Sequence, residues 1–135
     1  MSKYRVPSTK NKYYIPKEDY LTAIHYSLRY PLWLAELNDA EDTSTAIRYD
    51  LDKVQTSPSA NMVFNAAEKS ITLREKIELI DGLIAMCAEG MEHFLRLGVC
   101  YGLTFDQLKI KGLPCEKDMY YRIRRRYYYE LSRKI

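Results

Sequence analysis

Residues 93–135 read HFLRLGVCYGLTFDQLKIKGLPCEKDMYYRIRRRYYYELSRKI, and the punctuation in this stretch decides the fold. Phe94, Leu95, Leu97 and Val99 finish one helix, and Gly102 can close it in a left-handed turn. Thr104 followed by Gln107 is a capping-box pattern, in which each side chain bonds the other residue's backbone N–H. It predicts a short helix from Phe105 to about Ile110, with Phe105, Leu108 and Ile110 facing inward. Lys111-Gly112-Leu113-Pro114 makes a turn, because glycine admits positive φ and proline cannot continue a helix. Cys115 stands where a cap for the next helix is expected, although a thiol caps poorly. The last helix runs from about Glu116 to Arg133, with an apolar stripe at Tyr120, Ile123, Tyr127 and Leu131. A short helix, a glycine-containing turn and a longer basic helix make the helix-turn-helix layout.

From Lys109 onward nine Lys or Arg residues face three acidic ones, so this end of the chain suits a polyanion. The candidate contacts to duplex DNA are Lys109, Lys111, Lys117, Tyr121, Arg122, Arg124, Arg125 and Arg126. Arginine forks onto phosphate or a guanine edge, and a tyrosine hydroxyl bonds phosphate. Residues near a reader helix's start reach base edges, which here means Lys117, Asp118, Tyr121 and Arg122. Lys109, Lys111, Arg124, Arg125 and Arg126 then serve the phosphate backbone. The competing reading is a solvated face, or arginines paired with the acidic stretch of Glu36, Asp39, Glu41, Asp42, Asp50 and Asp52.

Upstream, two segments precede this module. Residues 1–15 form a basic arm without helical period, and residues 16–98 form a helical hairpin or bundle. Residues 99–135 are the helix-turn-helix, so the fold class is all-α with no strand pattern competing. A first helix starts near Pro16, and Pro31 interrupts or restarts it ahead of Leu32, Trp33, Leu34 and Leu37. Asn38 to Thr45 is acidic and polar, either a loop or an exposed helix continuing to Val54, and Thr56-Ser57-Pro58-Ser59 marks the next helix start. From there Val63, Ala66, Ser70, Leu73, Ile77, Ile80, Ile84, Cys87, Met91 and Phe94 recur every three or four residues as one stripe. That seam packs within the protomer or forms a homodimer contact, and internal packing is favoured because the N-terminal helices need a partner. A bend or break is expected near Gly90.

Composition excludes several classes. No apolar run approaches the roughly 20 residues of a membrane span, and the N-terminus has no apolar signal stretch. The chain is therefore expected in a bacterial or host-cell cytoplasm, associated with the nucleoid. Cys87, Cys100 and Cys115 are odd in number and widely spaced, which argues against a disulfide framework. His25 and His93 lie far apart, so no metal or cofactor is expected. Phosphate-loop and nucleophile-elbow motifs are absent. No nucleophile, base and orienting group can be proposed together, so no enzyme activity is expected.

From Tyr101 on, the chain resembles the region-4 helix-turn-helix of sigma factors. It is still more similar to the RinA and ArpU group of phage and mobile-element regulators. The similarity is carried by Gly102-Leu103-Thr104-Phe105-Asp106-Gln107-Leu108 and by Met119-Tyr120-Tyr121-Arg122-Ile123-Arg124-Arg125-Arg126. His25-Tyr26-Ser27-Leu28-Arg29-Tyr30-Pro31 is similar to the group's N-terminal helix and its break. Cys115 departs from the serine or threonine cap of that group, and Lys109 stands near where a small residue often packs. The resemblance implies a sequence-specific transcriptional regulator acting on duplex DNA, with RNA polymerase or another host protein as a further partner. Two other functions fit the layout: a small-terminase-like DNA-packaging subunit, and a phage-encoded helical protein that binds and inhibits a host protein. In the last case the thirteen tyrosines would mark a contact surface.

Overall fold

The computed structural model describes residues 12–40 and 57–135, with side chains in the third helix given at Asn65 and from Ala67 onward. The arm residues Lys3, Arg5 and Lys10, the acidic stretch beyond residue 40, and Val63 and Ala66 of the seam lie outside that description. Every regular element among the described residues is helical: α1 (Lys17–Leu28), α2 (residues 30–40), α3 (Ser57–Cys87), α4 (Glu92–Tyr101), α5 (Phe105–Ile110) and α6 (Lys117–Ser132). The chain is all-α, and none of the described helices is long and apolar enough to cross a membrane.

Chain contacts divide the protein into two compact units, residues 1–30 with 80–135 and residues 31–79. A boundary at residue 98/99 would cut α4, so the module expected to start there shares its unit with α4, α1 and the end of α3. The reason is visible in the packing, since α1 lies against both α6 and α4.

In the first unit, Pro16 precedes α1, and Glu18 and Asp19 complement the positive end of the helix dipole. Tyr20, Ala23, Ile24 and Ser27 form its buried face at helical spacing. α3 ends at Cys87, and two successive positive-φ residues, Glu89 (51°) and Gly90 (89°), turn the chain into α4. The break expected at Gly90 is thus a reversal made by the pair. Leu95, Val99 and Cys100 bury one face of α4, and Gly102 (φ 73°) closes it while Leu103 N–H donates back to the Leu97 carbonyl at 3.2 Å. Each fully buried aliphatic side chain of this kind contributes roughly 1.5–3 kcal/mol by leaving water.

In the second unit, Pro31 sits in the first turn of α2, where its missing N–H costs nothing. Trp33 is buried, with the Lys76 ammonium 5.2 Å from its ring centre. Ser70, Leu73 and Ile77 of the seam are buried here, as Ile80, Ile84, Cys87 and Met91 are in the first unit. A single chain therefore covers this part of the stripe, as internal packing requires.

Candidate nucleic-acid interface

Three local devices place α6. The Thr104 hydroxyl accepts from Gln107 N–H at 3.3 Å while Gln107 Oε1 accepts from Thr104 N–H at 2.8 Å, which fixes the start of α5. Gly112 adopts φ 102° in the turn, and Leu113 N–H reaches the Leu108 carbonyl at 3.0 Å. Leu108 and Leu113 are both buried, which pins the turn to the core. The inward assignment of Ile110 is corrected, because this side chain is 87% exposed. A face of α5 that buries Leu108 cannot also bury a residue two positions on, since the two differ by about 200° around the axis. The cap of α6 is also shifted by one residue: Glu116, in extended backbone, occupies the N-cap position without a side-chain cap bond, and Cys115 is buried instead.

Behind α6 stands a residue that the sequence pattern does not single out. Gly98 on α4 faces Tyr120, and a Cβ there would overlap the Tyr120 hydroxyl and lie 3.2 Å from Cζ. The small residue of this packing therefore belongs to α4, not to the α5 turn near Lys109. The only signal for it is a glycine inside an otherwise helical run. On its inner side α6 buries Tyr120, Ile123, Tyr127 and Leu131, as the stripe implies, and Tyr128 as well. Tyr128 belongs inside because α1 reaches around to it, with Tyr20 at 5.4 Å in an edge-on ring contact.

The eight candidate contacts fall into separate groups. Lys109, Lys117, Tyr121 and Arg124 gather on an aromatic cluster at the start of α6. The Arg124 guanidinium lies 4.4 Å from the Tyr121 ring centre, Lys117 Nζ 5.9 Å from the same ring, and Lys109 Nζ 5.9 Å from Phe105. Phe105 in turn is 6.4 Å from Tyr121. Lys109 also donates to the Leu113 carbonyl at 3.2 Å, so its ammonium partly serves the turn. Arg122 and Arg126, one turn apart, line a cleft of about 290 Å³ with Tyr13, Cys87, Glu89 and Ile123. Arg122 and Arg125 border an open depression with Glu116, Asp118 and Met119. Lys111 stands apart, exposed at the end of α5.

Lys109, Lys111, Lys117 and Arg122 are exposed, whereas Tyr121, Arg124, Arg125 and Arg126 are half-buried. Arg125 has its Nε buried and lies close enough to α1 to act on Tyr20, so only part of its side chain reaches the surface. A second cation–aromatic group, also unforeseen, lies farther along. Tyr13 packs edge-on against Tyr129 at 5.5 Å, Arg133 donates to the Tyr129 hydroxyl at 3.2 Å, and Lys12 Nζ is 5.5 Å from the Tyr13 ring. The start of the described chain is thereby brought onto α6.

Burial sets the protonation of the tyrosines and thiols behind this surface. It pushes Tyr120 up to about 12 and raises Tyr20, the latter offset in part by Arg124. It also raises Cys87, Cys115 and Cys100, the last to about 12, so all three remain neutral thiols near pH 7. No group of three or more His, Cys, Asp or Glu residues among the described residues could hold a metal ion. No family model matches this chain, and no characterised protein or solved structure is significantly similar to it.

Proposed function

We propose that this chain is a sequence-specific DNA-binding transcriptional regulator of phage or mobile-element type, acting by binding and not by catalysis. The observation that carries this reading is the outer side of α6. A capped α5, the Gly112 turn and the Gly98–Tyr120 packing hold a 16-residue helix that exposes Asp118 and Arg122 near its start, with Tyr121 and Arg125 half-buried beside them. These are the residue types that read a major groove: arginine donates to guanine O6 and N7, and aspartate accepts from cytosine N4. Lys111 and Lys117 are exposed beside them for phosphate, Lys117 moving from the base-edge group to the backbone group because a flexible ammonium is a point charge without arginine's fork. The resemblance to the RinA and ArpU group supports the regulatory role and RNA polymerase or another host protein as a further partner. A homodimer would set two such helices about 34 Å apart, one turn of duplex.

The test is selection from a random duplex DNA pool across a salt series, followed by sequencing of the bound fraction. The expected result is one enriched short motif, with affinity falling as salt rises. The Arg122→Ala, Arg125→Ala double variant should keep its helicity and bind the motif at least tenfold more weakly, about 1.4 kcal/mol or more. Absence of retention at low salt would remove the DNA reading and direct the search to a protein partner.

A further inference from the structure

We propose that Glu89 gates Arg122, so that duplex DNA must displace a carboxylate of the protein before this arginine can bind it. The inference rests on the DNA-binding reading of α6 and adds a residue from outside the helix-turn-helix that sets how readily α6 takes a polyanion.

Glu89 belongs to the reversal between α3 and α4, yet its Oε2 lies 3.6 Å from an Arg122 terminal nitrogen. The backbone there is in the left-handed region at φ 51°, which side chains other than Gly, Asn and Asp rarely adopt. It is the sole non-glycine residue with positive φ among the described residues. The following residue is a glycine, so the reversal could be made with glycine or asparagine at this site at lower strain. A glutamate here keeps a carboxylate at the mouth of the cleft lined by Arg122 and Arg126. Stability gives a weak reason for it, because both side chains are about half exposed, at 61% and 48%, and such pairs contribute little.

Its effect falls on binding. A phosphate or guanine that engages Arg122 must first replace Glu89, and the loss of this ion pair is the cost of the exchange. The ion pair thus weakens phosphate binding. The cost is common to any duplex that engages Arg122, so Glu89 sets how readily α6 takes a polyanion and not the ratio between operator and random duplex.

The experiment compares the full-length chain with Glu89→Gln and Glu89→Lys, each titrated with the selected operator and with random duplex by fluorescence anisotropy. Glu89→Gln should bind random duplex about two- to five-fold more tightly, the range of an exposed ion pair. The operator should tighten by a similar factor, because the cost of displacing Glu89 is common to both duplexes. Glu89→Lys should go further in the same direction, with a salt dependence steeper by about 0.9 in log–log slope for each additional phosphate neutralised. In an Arg122→Ala background the tighter binding of Glu89→Gln should vanish. Unchanged random-duplex binding by both variants, or tighter binding that persists without Arg122, overturns the gate while leaving the DNA reading standing. Failure of the original chain and both variants to bind any duplex overturns both.

Discussion

Ser27 Oγ and the Tyr127 hydroxyl lie 2.8 Å apart, joining α1 to α6 across one hundred residues of sequence. Ser27 has a single hydroxyl proton, and the Ala23 carbonyl accepts it at 3.0 Å. Tyr127 must therefore be the donor to Ser27. Both side chains are fully buried, so neither can turn to water instead. This bond fixes the N-terminal helix to the basic one and explains why the two share a compact unit.

The donor assignment makes the two single deletions unequal. Ser27→Ala leaves the Tyr127 hydroxyl buried without an acceptor and should cost about 1–3 kcal/mol. Tyr127→Phe leaves Ser27 still bonded to Ala23 and should cost about 0.5–1.5 kcal/mol. The double variant removes both polar groups and should be more stable than Ser27→Ala alone. Urea denaturation of the three variants measures this, and equal single costs would contradict the assignment.

Gly98 should resist substitution although it lies within a helix. Alanine there adds about 1 kcal/mol in helix propensity. Its Cβ would overlap the Tyr120 hydroxyl at the end of a rigid, buried ring, and such overpacking costs about 1–3 kcal/mol. Gly98→Ala should therefore be net destabilising, and adding Tyr120→Phe should recover much of the loss. The Tyr120 hydroxyl has no hydrogen-bond partner among the described residues, so Tyr120→Phe alone should be nearly neutral or stabilising. Thermal melts of the three variants test the order.

The fold should fail in alkali ahead of any acid sensitivity of its core. Burial pushes Tyr120 and Cys100 up to about 12, from ordinary values of 10.0 and 9.0, and raises Tyr127 and Tyr128 further. Tyr30 also reaches about 12, through burial and then its 2.8 Å hydrogen bond to Asp81. These groups lose protons more readily unfolded than folded. Their contribution is full below pH 9 and begins to fall as the unfolded thiol and then the unfolded tyrosines titrate; that of Cys100, Tyr30 and Tyr120 is gone once the pH passes about 12, and that of Tyr127 and Tyr128 persists higher. Tyrosinate absorbance followed together with circular dichroism should show exposed tyrosines ionising first and a buried class ionising only as helicity collapses. One tyrosine class titrating near its ordinary value with helicity retained would contradict the burial pattern.

What is legible in the sequence is local. Gly102, the Thr104–Gln107 box and Gly112 each act within a few residues, and each stands where its chemistry requires. The stripe from Ser70 to Met91 is legible because a helix repeats every 3.6 residues, whatever covers it. The extent of α5 is legible, but the inward assignment of Ile110 overlooks the 200° between it and Leu108, and Ile110 is exposed. Periodicity cannot place Tyr128, which is buried by Tyr20 from another helix. Glu89 and Tyr13 escape for the same reason, since each meets α6 only through the tertiary fold.

The basic residues at the end of α5 and along α6 should separate into binding and structural classes. Lys111 and Lys117 are exposed, so alanine at either should change stability by no more than about 0.5 kcal/mol. Each substitution should also lower the log–log salt slope of DNA binding by about 0.9 and weaken operator and random duplex alike. Arg124 differs, because its guanidinium packs 4.4 Å from the Tyr121 ring and faces Tyr20 from α1. Arg124→Ala should destabilise the fold by about 0.5–2 kcal/mol, and Arg124→Lys should restore only part of it, since an ammonium stacks less well than a planar guanidinium. Denaturant midpoints paired with salt-dependent titrations distinguish the classes. If Arg124→Ala left stability intact and altered only the salt slope, Arg124 would be a phosphate contact like the lysines, and the aromatic cluster at the start of α6 would be incidental to how that helix is held.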